Sequence, residues 1–60
     1  MGQHKYKIYA IDSNYKEYYR IIYRKRKLNP IQIYELGGRF ADKLAFKYNR
    51  NFILFGCIEV

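Results

Sequence analysis

The segment NPIQIYELGGRFADKLAFKYN, residues 29–49, is the strongest constraint on what this chain can fold into. At 100° per residue, Ile33, Leu36, Gly37, Phe40, Leu44 and Tyr48 fall on one side, with Ala41 at its margin. Gln32, Glu35, Arg39, Asp42 and Lys43 lie away from its centre, and Phe46 and Lys47 break the pattern. Residues on both sides of Gly37-Gly38 share one phase, which an independent strand before the glycines would have no reason to do. One helix over about 30–48 is therefore expected. Asn29 is a favoured N-cap, Pro30 sits where no backbone N–H is needed, and Asn49 tolerates the left-handed conformation that ends a helix. The alternative is a break at the glycine pair, with 31–36 as a strand. Each glycine costs a helix about 1 kcal/mol relative to Ala. Gly37 faces inward, where close approach to a sheet would offset that cost; Gly38 faces outward, with no comparable reason.

The flanking segments alternate instead. In KYKIYAI, residues 5–11, Tyr6, Ile8 and Ala10 share one face, and Lys5, Lys7, Tyr9 and Ile11 the other. That period of two, in a run rich in Tyr and Ile, reads as a half-buried strand. Asp12, Ser13 and Asn14 supply a turn. A second strand over about 16–26 places Tyr19, Ile21 and Tyr23 on one face and Tyr18, Arg20, Ile22, Arg24 and Arg26 on the other, so the two form a hairpin. The last run, FILFGCIEV over 52–60, is apolar on both faces: Phe52, Leu54, Ile58 and Val60 against Ile53, Phe55 and Cys57. Such a strand is normally covered on both sides, which one helix cannot do. Either the hairpin curls over it or a second chain covers it, the latter through Phe52, Leu54, Phe55 and Ile58.

The order is β-β-α-β. A right-handed crossover through the helix puts the third strand beside the first. The expected fold is α+β, a three-stranded antiparallel sheet in order 2-1-3 with one helix on one face. Sixty residues make a single small domain, 1–60. A chain of this length buries only about 60% of its unfolded surface, and such domains often lean on a partner. A homodimer is expected on that ground as well.

Chemistry-bearing residues are sparse. One His, one Cys and one Ser are scattered, with no Gly-rich phosphate loop. A nucleophile needs a base within reach and a group to orient that base. His4 and Cys57 fall on neighbouring elements, but His4 reads as N-terminal surface and Cys57 as a small buried hydrophobe. A non-enzyme is expected, without metal or cofactor. With a lone cysteine and no apolar leader or membrane span, a cytoplasmic protein is expected. The richness in Lys, Ile, Tyr and Asn suggests an AT-rich coding genome, of the kind phages and other mobile elements carry.

Charge is the informative feature. Twelve Lys and Arg against five Asp and Glu leave +7, which points to an anionic partner. If Tyr6, Ile8 and Ala10 face the helix together with Tyr19, Ile21 and Tyr23, the outer sheet face of the hairpin carries no acid. There Lys5, Lys7, Arg20, Arg24 and Arg26 would neutralise phosphates while Tyr9 and Tyr18 stack on bases. Lys25 and Lys27 would add long-range attraction. The sequence alone therefore predicts a small basic binding module for nucleic acid, single-stranded or RNA. The alternative is a phage-type inhibitor that docks on an acidic host protein or self-associates through its C-terminal strand. The bland reading is a solvated basic face that keeps a strand edge from aggregating.

Overall fold

A computed structural model describes residues 3–60, so Met1 and Gly2 of the expected 1–60 domain lie outside the described residues. The elements are β1 (His4–Asp12), β2 (Glu17–Arg24), α1 (Pro30–Tyr48) and β3 (Phe52–Glu59). The sheet order is β2-β1-β3, with both outer strands antiparallel to β1 and the helix against one face. This is the α+β architecture that the sequence predicts. β2 ends at Arg24, two residues short of expectation, so Lys25, Arg26 and Lys27 lie in an exposed connection.

Local chemistry sets the helix. The Asn29 side chain accepts from the Gln32 backbone N–H at 2.8 Å, and the Gln32 side chain accepts from the Asn29 N–H at 3.1 Å. This reciprocal pair satisfies two donors that a helix start would otherwise leave bare. The helix runs unbroken through Gly37-Gly38 and ends at Asn49, φ 53°, whose N–H bonds to the Ala45 carbonyl.

The core lies under this helix. Tyr6, Ile8 and Cys57 are buried, and Ile22, Leu28, Ile33, Leu36 and Phe40 pack around them. The Tyr6 hydroxyl accepts from the Leu28 N–H at 2.8 Å, pinning the β2–α1 connection across β1. Gly37 rests on Gly56 of β3: a Cβ there would stand 3.0 Å from the Gly56 Cα. That approach draws α1 over β3 and β1, and no Cα of the helix comes within 8 Å of β2.

The faces of the strands differ from expectation in two places. The first is β2. The Asp12 N–H bonds to the Lys16 carbonyl at 3.1 Å, enclosing the three-residue loop Ser13-Asn14-Tyr15 with Tyr15 left-handed at φ 65°. An odd loop pairs even residues with even ones, so Ile8 stands opposite Arg20 and Tyr6 opposite Ile22. Tyr18, Arg20, Ile22 and Arg24 therefore lie on the helix side, and Tyr19, Ile21 and Tyr23 on the open face, the reverse of the expected assignment. Apolar content misleads here because the helix stops short of β2, whose inner face has no need to be apolar.

The second is β3. Leu54 pairs with Ile11, but a register shift then sets Phe52, not Ile53, opposite Asp12. Phe52 thus turns to the helix side, its ring edge-on to Tyr18 at 5.5 Å. Phe55 also points inward, against Gly37 and edge-on to Tyr34 at 5.8 Å. Of the four residues expected at an oligomer interface, Leu54 and Ile58 are exposed on the open face, while Phe52 and Phe55 belong to the helix side.

Candidate nucleic-acid interface

The nine residues expected to form one binding surface are divided among three. Lys5, Lys7 and Tyr9 lie on the open face. Tyr18, Arg20 and Arg24 lie on the helix side, and Lys25, Arg26 and Lys27 in the connection. The two expected base-stackers are already engaged. Tyr18 stacks on Tyr48 at 5.6 Å and donates its hydroxyl to Asp12 at 3.4 Å. The Tyr9 ring lies over Gly56, where a Cβ would meet its hydroxyl oxygen at 2.6 Å. Lys7 is committed too, sitting 3.5 Å from Glu17 and 5.1 Å from the centre of the Tyr19 ring.

A different basic surface takes shape on the helix side. Because α1 stops short of β2, a groove of about 510 Å³ opens between them. Ile8, Ile22, Leu36, Phe40 and Leu44 form its floor. Arg20 and Arg24 of β2 and Arg39, Lys43 and Lys47 of α1 form its rims, and no carboxylate lines it. None of the five cations has a carboxylate within 4 Å among the described residues. Glu35 lines the hollow that continues the groove past Arg24 and Arg39. Five unneutralised cations around one apolar floor repel one another and concentrate a positive field, which draws anions.

Arg39, Lys43 and Lys47 were not among the sequence candidates. The signal for them is their spacing: at i, i+4 and i+8 they form one row along a helix, about 6 Å apart along its axis.

The loop end of the sheet is held by Asp12, whose side chain is inaccessible to solvent. One carboxylate oxygen accepts the Asn14 and Lys16 N–H groups at 2.9 Å; the other faces the Tyr18 hydroxyl and the Arg50 guanidinium at 3.4 Å. The Lys16 amide above all holds its carboxyl below the ordinary range against the opposing effect of burial, with help from the Asn14 amide and Arg50. At the other end of the sheet, the His4 ring pairs with Glu59 at 2.8 Å. Burial pushes the Cys57 thiol up, with the Arg24 charge pulling the other way; a buried thiol so shifted stays protonated. No group of three potential metal ligands occurs among the described residues, and none of their helices is long and apolar enough to cross a membrane.

Compared with known protein families, curated proteins and solved structures, the chain matches none.

Proposed function

We propose that this chain is a non-catalytic nucleic-acid-binding module whose phosphate-binding surface is the groove between β2 and α1. The observation that carries the reading is the convergence of Arg20, Arg24, Arg39, Lys43 and Lys47, from two elements, on a groove with no acid in its lining. The helix row repeats at about 6 Å, close to the repeat of an extended phosphodiester backbone. Rims on both sides fit one strand between them, so a single strand is the preferred form, with its bases against Phe40 and Leu44. Lys25, Arg26 and Lys27 extend the positive field beyond Arg24. An acidic protein surface would meet the same cations and is the competing reading.

The test is fluorescence anisotropy of labelled single-stranded and duplex oligonucleotides. If all five cations meet phosphates, log K falls against log salt with a slope of about −3.5 for single strands, or roughly a hundredfold between 50 and 200 mM. Arg20→Glu with Arg39→Glu abolishes binding, while Lys5→Glu with Lys7→Glu on the open face leaves most of it. Failure to bind at low salt would transfer the charge to an acidic protein partner. Loss of binding in the open-face variant alone would remove the groove from the account.

A further inference from the structure

The β3 edge of the sheet points to a second copy of this chain. The Val60 N–H bonds to the Lys5 carbonyl at 2.9 Å. By the alternation of antiparallel pairing, the Leu54, Gly56 and Ile58 groups then point to β1, and those of Phe55, Cys57 and Glu59 point outward. Among the described residues these outward groups have no strand beyond them, and β3 carries no Lys, Arg or Pro to discourage pairing. Native sheets rarely leave such an edge open.

Charge distribution selects the occupant. All twelve cations lie off β3. The flank of α1 above that edge, through Ile31, Tyr34, Gly38, Asp42 and Ala45, has none either. The charges at this edge, Asp42 of α1 and Glu59 of β3, are both acidic. A chain of net charge +7 can therefore meet its own copy at this edge without apposing cations, while β2 and the groove side of α1 repel it. Beneath the flank an apolar hollow of about 430 Å³ opens, lined by Tyr9, Ile33, Tyr34, Phe55, Gly56 and Cys57. A second copy would fill it.

We infer that two copies pair antiparallel along β3 about a two-fold axis normal to the sheet, making one six-stranded sheet with both helices on the same face. Full overlap of residues 52–60 centres the axis at Gly56 and sets Phe55 of one copy opposite Cys57 of the other. Because α1 rests on β3 at Gly37 and Gly56, the two helices lie side by side across that axis. Gly38 and Ala45 are small enough to let them close. The strand runs about 27 Å and sheet plus helix stand about 20 Å tall, a projected contact on the order of 500 Å². Corrugation raises the accessible area lost toward the ~800 Å² per partner of a standard interface, so the dimer dissociates on dilution.

Sedimentation velocity across a concentration series, with amide exchange by NMR, tests this independently of nucleic-acid binding. The wild type forms a dimer in which the Phe55, Cys57 and Glu59 amides exchange slowly. Ile31→Lys with Tyr34→Lys, both at exposed positions, weakens it at least a hundredfold and returns those amides to fast exchange, with an unchanged far-UV spectrum. Ile21→Lys with Tyr23→Lys, on the open face far from β3, leaves the dimer intact. A wild type monomeric up to about 1 mM, a dimer that survives the Ile31/Tyr34 variant, or fast exchange of the three amides in the dimer would each overturn the inference.

Discussion

The two edge strands of this sheet solve opposite problems. β2 is bare of helix, and its inner face shows arginines where a core would show aliphatics. β3 lies under the helix and carries no cation. Charge blunts an edge against pairing, so β2 has a guard and β3 does not. The helix follows the same division. Its β2 side bears Arg39, Lys43 and Lys47, while its β3 side bears Tyr34, Gly38 and Ala45. One 60-residue chain thus separates a cationic edge from one without cations, and the glycine contact that draws α1 toward β3 is what opens the groove beside β2.

Asp12 is the post to which both edges are tied, and disturbing it has the largest expected effect. It holds Lys16 and Tyr18 at the start of β2, and Arg50 on the approach to β3. Asp12→Ala removes the acceptor of the part-buried Asn14 and Lys16 N–H groups and should lower the melting temperature more than a substitution at Gly37 or Gly38. Because the folded carboxyl titrates below its unfolded value of about 3.9, its contribution is fully present above that pH. It is lost as pH falls through the folded value. Melting temperatures of wild type and Asp12→Asn should therefore differ at neutral pH and draw together in acid. A constant gap down to strong acid would mean that the charge is not what stabilises the post.

What could be read in the sequence follows the range of the interaction. The helix, its cap residues Asn29 and Pro30, and its stop at Asn49 are set within a few residues, and all were legible. The inward role of Gly37 was legible too, though its contact with Gly56 in the distant β3 was not. The face of β2 hangs on whether the hairpin loop counts odd or even. Tyr15 hides that count, because a tyrosine at positive φ gives no signal where Gly or Asn would. Once the parity is reversed, Arg20 and Arg24 leave the open face for the groove. The groove itself is a negative feature, the absence of helix over β2, and no local pattern encodes that.

The second-largest effect tests the cover over β3. A methyl at Gly37 meets Gly56 backbone atoms at 3.0 and 3.1 Å and the Phe55 ring at 3.1 Å. Backbone cannot swing aside, so Gly37→Ala incurs overpacking of about 1–3 kcal/mol and regains about 1 kcal/mol from helix propensity. Urea unfolding should show a net loss on the order of 1 kcal/mol, within those limits. A more stable variant would mean that the helix and β3 do not meet at this point.

Gly38 gives the smallest effect and the sharpest distinction between the edges. A Cβ there would meet the Phe55 ring only at 3.7 and 3.9 Å, ordinary contact distances. Within one chain nothing opposes Ala, and Gly38→Ala should stabilise the monomer by up to about 1 kcal/mol. The sequence shows no reason to retain glycine at such a position, but a second helix packed along this flank would supply one. Urea unfolding at high dilution should show the gain, and sedimentation at high concentration a weaker dimer. A dimer left unchanged or strengthened by the methyl would place the helices too far apart for the pairing inferred at β3, leaving Gly38 without a structural reason on either edge.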